Sequence, residues 1–447
     1  MRDCVIRGGR VVQAYGVSVQ DVAIEDGRIS AIAPELPGAA REIDARGLTM
    51  FPGVIDDHLH FNEPGRAAWE GAATGSAALA AGGGTAFFDM PLNSTPCTVD
   101  RVAFEQKRAA LERASITDFA LWGGVVPGNV GELAGLAECG VVGFKAFMSD
   151  SGLPEFPRAD DLTLYEGMLE AARLGLPVAV HAESEEITSG LSRRAREAGR
   201  LTARDYLDSR PVIAEVEAIQ RAAVLARAAG CKLHVVHISS GRGVAAALEA
   251  RALGTDITIE TCAHYLFFTE DDVLRIGASA KCAPPLRDAS EHGELWRHVL
   301  NGGVDVIASD HSPAPPSMKT GDDFFAIWGG IAGVQSTLAV ILEAGHYERA
   351  LPLERIAELT AAYPARRFAL ENKGGIAVGN DADLTLVDLG KSYLLEADRL
   401  FQKHRISPYL GRTFRGAIRR TMLRGTTIFH DGRILVESGG KLLRPKR

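Results

Sequence analysis

Cysteine is scarce, with six in 447 residues: Cys4, Cys97, Cys139, Cys231, Cys262 and Cys282. They are dispersed and none forms a Cys-x-x-Cys pair, which argues against a thiolate zinc site and for free thiols in a reducing compartment. No apolar run approaches the ~18 residues of a membrane span. The start, MRDCVIRGGRVVQ, carries charges at Arg2, Asp3 and Arg7 and has no signal-peptide pattern. A cytoplasmic location and no membrane partner are therefore expected. Basic blocks are missing too, apart from the terminal Lys441, Arg444, Lys446 and Arg447, a tail expected to be solvated. With 49 Lys plus Arg against 57 Asp plus Glu, the net charge is −8, so nucleic acid is not an expected partner. What the sequence does hold is 12 histidines. They point to imidazole and carboxylate chemistry if they prove to be placed rather than scattered.

A chain this long exceeds one simple domain; it suits a large barrel with an appendage. The first 50 residues read as short strands, Val5-Ile6, Val11-Val12, Val22–Ile24 and Ile29–Ile32. Gly8-Gly9, Gly16 and Asp26-Gly27 punctuate them, the last a hairpin signal. The last 75 or so residues repeat the texture, with turns at Gly374-Gly375, Gly379-Asn380 and Asp431-Gly432. Both ends are expected to build one small β-sandwich domain, residues 1–50 with 371–447. Residues 51–370 differ. Eight short apolar runs begin at Gly53, Thr85, Phe119, Val141, Pro177, Leu233, Ile257 and Val304. Helix-forming stretches such as Arg101–Arg113, Leu164–Leu174, Glu215–Ala229 and Glu291–Leu300 alternate with them. This pattern predicts an α/β fold, a (β/α)8 TIM-type barrel.

In such a barrel the chemistry sits where strands end. The first run ends in Asp56-Asp57-His58-Leu59-His60; residues two apart on a strand share a face, so His58 and His60 form a natural chelate. The fourth run carries Lys145 among apolar neighbours, the fifth ends at His181, the sixth reaches His237 and the eighth Asp310. A lone histidine at a strand end is more often a hydrogen-bonded structural residue. Lys145 is the most diagnostic position, because a buried unpaired ammonium is costly. A salt bridge would neutralise it. So would reaction with carbon dioxide, giving an anionic carbamate whose two oxygens suit two metal ions. Four histidines and an aspartate nearby favour the carbamate. Two divalent ions against the carbamate, Asp310 and one hydroxide leave a mildly positive site, suited to an anionic transition state. His234 is expected to be structural, His264 to brace the site, and His311 to point away from it.

The series Asp56-x-His58-x-His60, Lys145, His181, His237, Asp310 resembles the amidohydrolase superfamily, in particular its cyclic amidases: dihydroorotases, hydantoinases (dihydropyrimidinases) and allantoinases. The resemblance covers nearly the whole chain. It implies that His58, His60 and Asp310 hold one metal ion, His181 and His237 a second, and carbamylated Lys145 (N6-carboxylysine) both. Zinc is the expected metal, and cobalt, manganese or iron would fit the same donors. Asp310 would also be catalytic, taking a proton from water and passing it to the leaving nitrogen. A homotetramer is implied as well.

The subfamilies separate on a few positions. Dihydroorotases place an arginine, as partner for a substrate carboxylate, where this chain has Asn62; Arg66 is a possible substitute. Hydantoinases place an oxyanion-stabilising tyrosine where this chain has Asp150. Blocks such as Trp69-Glu70-Gly71, Asp89-Met90-Pro91-Leu92-Asn93, Ser309-Asp310-His311-Ser312-Pro313 and Ser407-Pro408-Tyr409-Leu410-Gly411-Arg412 resemble allantoinases. The implied activity is opening of the hydantoin ring of allantoin to allantoate. Hydantoinase-like or dihydroorotase-like hydrolysis is the alternative. Allantoin is neutral, and the amides of Asn93 and Gln335 with backbone groups near Cys282 and Gly330 are the expected contacts. The loop 149–158 is a candidate lid or pocket wall. Two rivals remain: a scaffold that has lost catalysis, disfavoured because all six ligand positions are filled, and a mononuclear deaminase, disfavoured by Lys145.

Overall fold

The computed structural model describes residues 3–446; readings that fall on Met1, Arg2 and Arg447 lie outside the described residues. Eight parallel strands surround a TIM-type core. The first three are Val54–Leu59, Gly84–Asp89 and Asp118–Leu121, the third resuming as Gly123–Gly124. The fourth to eighth are Phe144–Phe147, Val178–His181, Leu233–Val235, Ile257–Cys262 and Val306–Ala308. Each matches one apolar run of the sequence. Trp122 splits the third strand: its N–H bonds Asp89 O at 3.1 Å on one side, while Gly123 N–H bonds Gly143 O at 3.0 Å on the other. The ring closes between Leu59 and His311, where His60 N–H donates to His311 O at 2.8 Å.

Helix boundaries follow local chemistry. Arg101–Ala114 and Asp161–Leu174 start at Asp100 and Asp160, whose side chains accept from Ala103 N–H and Thr163 N–H. Asp161–Leu174 stops at Gly175, whose left-handed backbone a residue with a Cβ would resist. None of the described helices is long and apolar enough to cross a membrane.

Strands from both chain ends form one nine-stranded sheet. Its two halves meet where Thr49–Pro52 pairs antiparallel with Leu384–Leu394, Leu384 opposite Pro52. Ile6, Val22, Ile24, Met50, Leu384 and Met422 pack beneath it. The Asp26-Gly27 and Asp431-Gly432 hairpins form with positive φ at all four residues. Gly8-Gly9 departs from the expected turn. It is a bulge inside the single strand Cys4–Gln13, where the register shifts between Ile6 and Gly9. The basic side chains Lys441, Arg444 and Lys446 are exposed, as expected, but the tail's main chain is paired. Lys441 O accepts from Phe119 N–H at 3.0 Å and Leu443 N–H donates to Phe119 O at 2.7 Å, so the tail runs along the third barrel strand.

The sheet and the barrel share a buried ion network. Lys373 Nζ lies 2.8 Å from Asp118, 2.8 Å from Asp381 and 2.6 Å from Asp383. Arg424 adds a second cation on Asp118. Asp118 opens the third barrel strand, at the face opposite the candidate site, where a barrel's residues serve stability.

Candidate metal centre and active site

Strand alternation aims His58 and His60 the same way, into the barrel mouth. Their Nε2 atoms lie 3.4 and 3.5 Å from Asp310 Oδ1. One donor atom from each of the three side chains falls within 4.8 Å of the others, close enough to share a metal ion. Asp310 and His237 sit just past their strands with φ of 42° and 40°. That left-handed backbone is strained in residues with a Cβ, at about 1–3 kcal/mol each, and it turns both side chains toward the mouth. His237 Nε2 then faces His181 Nδ1 at 3.0 Å. The other nitrogen of His181 is taken by Glu183 at 2.8 Å, and Arg210 clamps Glu183 through two bonds of 3.1 and 2.5 Å.

Lys145 is fully buried and its Nζ has no hydrogen-bond partner. Burial pushes its pKa down to about 7, against the weaker upward pull of Glu260 and Asp310. The ammonium charge is thus easily lost there, leaving a nucleophilic amine. Burial also lowers the pKa values of His58, His181 and His237, so the imidazoles are neutral and able to ligate. Burial alone would raise Asp310, but the imidazoles of His58 and His60 outweigh it and hold the carboxyl below its usual range.

His58, His60, His181, His237 and Asp310 open onto a cavity of about 480 Å³, while Lys145 is buried and is not part of its lining. Asn93 lines it, its amide donating to Ser312 Oγ at 3.4 Å. Gln335 does not line it, a correction to the sequence reading. Its amide nitrogen donates to Arg399 O at 2.7 Å and its oxygen accepts from Phe401 N–H at 2.9 Å, so both ends are spent on the chain outside. Cys282 and Gly330 are also set back, and the lining falls to their neighbours Lys281, Ala283 and Gly329. Cys282 O accepts from the Tyr206 hydroxyl at 2.9 Å, and Gly330 O from Lys319 Nζ at 2.5 Å.

Ser149, Asp150, Ser151 and Gly152 form one wall, so the 149–158 loop stands at the pocket. Buried Phe156 and the Arg66–Glu155 ion pair hold that loop in place. Arg66, the substitute partner for a substrate carboxylate, is therefore already engaged. Sequence reasoning missed three cations in the walls, two of them committed and the third, Arg196, half-exposed. Arg210 serves Glu183; Lys281 donates to the carbonyls of Phe325 and Ile327; Arg196 lies 3.5 Å from Asp323.

Sequence reasoning also missed Glu260, which directly follows the apolar residues Ile257–Ile259. Its signal was the same as that of Lys145: a charged residue inside an apolar strand. Burial alone would raise its pKa, but the imidazoles of His58 and His234 outweigh that and hold it ionised. His311 turns away: its Nδ1 accepts from Gly333 N–H at 3.1 Å. His264 is buried beside the site, and burial pushes its pKa down to about 4.

Comparison with known proteins agrees with this geometry. Residues 49–428 match the amidohydrolase family. The chain is 81% identical to an allantoinase from Solibacter usitatus over 446 residues, 100% of this chain and 98% of that one. It is 57% identical to an allantoinase from Rubrobacter xylanophilus, again over 100% and 98% of the two chains. Among solved structures, the L-hydantoinase (dihydropyrimidinase) from Arthrobacter aurescens superposes with a TM-score of 0.96 at 35% identity, over 99% of this chain and 100% of that one. With a family match spanning the barrel and relatives aligned end to end, this chain belongs to the amidohydrolase family.

Proposed function

We propose that this protein opens the hydantoin ring of allantoin to allantoate. What supports the reading is that His58, His60, His181, His237 and Asp310 line one cavity, with Lys145 buried within electrostatic reach of Asp310, in a chain 81% identical to an allantoinase. The donor set fits two divalent ions: an orphaned buried lysine nitrogen, neutral imidazoles with facing ring nitrogens, and one ionised carboxylate. In this reading His58, His60 and Asp310 hold one ion and His181 and His237 the other. Lys145 would serve both ions as a carbamate, formed when its amine adds carbon dioxide and loses a proton. Zinc is the metal proposed. When bound, such a pair supplies Lewis acidity, polarising a carbonyl and making water nucleophilic at neutral pH.

The protein's own groups do the rest. Asp310, ionised and at the cavity edge, takes the proton of the attacking water and delivers it to the departing ring nitrogen. Asn93 orients the substrate through its amide, with backbone groups beside Lys281, Ala283 and Gly329. Phe147, stacked on His181 at 4.5 Å between ring centroids, and Trp328 limit access of water. The nine-stranded sheet is proposed as a separate small β-sandwich domain, of residues 1–50 and 371–447, beside a barrel of 51–370. The homotetramer rests on the family resemblance, and the cytoplasmic location on the dispersed free cysteines.

A four-substrate assay tests the reading, with allantoin, dihydroorotate, dihydrouracil and a 5-substituted hydantoin. Allantoin is expected to have the highest kcat/KM. Turnover of plain hydantoins or dihydrouracil without turnover of allantoin would sink the substrate assignment and leave a hydantoinase-like enzyme.

A further inference from the structure

The seventh barrel strand supplies none of the six ligands proposed above, yet its Glu260, which with Asp57 and His234 forms a second buried donor cluster, touches both halves of the centre. The side chain is fully buried. Oε1 accepts from His58 Nδ1 at 2.8 Å and from the His237 backbone N–H at 2.9 Å. Oε2 accepts from His234 Nε2 at 2.7 Å. One carboxylate thus receives donors from the first and sixth strands at once, and each of its oxygens is used.

We propose that Glu260 is a positioning residue that couples the two metal sites. This rests on the reading of His58 and His237 as ligands. Accepting from Nδ1 places the His58 proton there and leaves the Nε2 lone pair facing Asp310. Accepting from the His237 N–H anchors the main chain in its left-handed turn, the turn that carries Nε2 to within 3.0 Å of His181 Nδ1. A single group therefore sets the tautomer of a ligand in one half and the backbone of a ligand in the other. His234 keeps the carboxylate from rotating. Its ring stacks on Trp122, 5.8 Å between centroids, and Trp122 in turn donates to Asp57 O at 3.0 Å. That role, rather than ligation, accounts for a histidine buried below the site.

The test is metal titration of the chelator-stripped full chain with Co²⁺, read by its absorption spectrum and by calorimetry. Glu260→Leu keeps most of the volume and removes the acceptor shared by His58 Nδ1 and the His237 backbone N–H. Glu260→Asp keeps the charge but is one methylene short. Expected for both is a weakening of about 10- to 100-fold in the affinity for each of two ions, with an altered Co²⁺ spectrum. Thermal unfolding of the stripped proteins identifies a variant that has failed to fold, in which case the other decides. Affinities within threefold of the wild type for both ions, in a folded variant, overturn the proposal. So does weakening confined to one ion, which would make Glu260 an accessory of a single site or a ligand itself. A wild type that binds fewer than two ions defeats instead the reading on which the proposal rests.

Discussion

Replacing Lys373 with methionine strips the ammonium from a nest of three carboxylates and leaves the volume nearly unchanged. Lys373 is 3% exposed, and Asp118, Asp381 and Asp383 lie within 2.8 Å of its nitrogen. At an effective dielectric of 20, each contact represents about 6 kcal/mol of gross attraction. Desolvation of four charges and repulsion among the carboxylates offset most of that. Burial alone would lower the lysine's pKa, but Asp383 and Asp118 outweigh it and push it above its ordinary value, so the ion is held with a net gain. Removing one partner of a buried pair costs about 3–5 kcal/mol, because the remaining charge stays buried and uncompensated. Arg424 still serves Asp118, so the main burden falls on Asp383, whose pKa burial already raises. Urea unfolding of Lys373→Met followed by tryptophan fluorescence is expected to show that loss at pH 7. The gap should narrow toward pH 4.5. An acid whose folded pKa is raised binds its proton sooner in the folded state than in the unfolded one, so its penalty is present at high pH and vanishes as pH falls. Adding Asp383→Asn should restore part of the loss at pH 7. A loss below about 1 kcal/mol, or a gap that does not narrow on acidification, would refute the reasoning.

Other outcomes follow from the same geometry. His264 has its pKa lowered from 6.5 to about 4 by burial, so the unfolded chain takes up a proton that the folded one refuses. Stability is therefore lost as pH falls from 6.5 to 4, by about 3 kcal/mol for this group. His264→Phe, which keeps a ring against Tyr265, should show a shallower acid slope in the same window, and equal slopes would contradict the assignment. Gly330→Ala would place a Cβ 2.3 Å from Ser312 O, a backbone atom that cannot swing aside. The displaced cavity wall should reduce kcat/KM by on the order of tenfold to a hundredfold with unchanged metal content; kinetics equal to wild type would show that the loop yields without consequence.

The barrel was legible because each strand is an apolar run that the chain writes contiguously. The candidate ligands were legible because they lie at the ends of those runs, as His58, His181 and Asp310 do. What was not legible depends on partners far apart in sequence. Lys373 and Asp118 are separated by 255 positions, and nothing local in either marks the pair. Glu183 and Arg210 look like ordinary surface charges of a loop and helix until the fold brings them behind His181. Gln335 looked available for substrate because an amide's partners cannot be read from its neighbours, and both ends proved to be bound to residues 399–401. Gly8-Gly9 carries the composition of a turn, but the strands on either side of it continue in one line, and only the register with Gly16–Glu25 shows a bulge. Glu260 escaped notice beside the apolar Ile257–Ile259, although a charge inside a barrel strand was itself the signal.

The most direct measurement is metal content and allantoin turnover of Lys145→Ala beside the wild type, both purified without added metal and then saturated with zinc. The wild type is expected to hold two ions per chain and convert allantoin to allantoate. The variant, without a bridging group, is expected to hold fewer than two and to lose most turnover. A folded Lys145→Ala that keeps two ions and normal turnover would contradict the role assigned to Lys145 and, with it, the proposed centre.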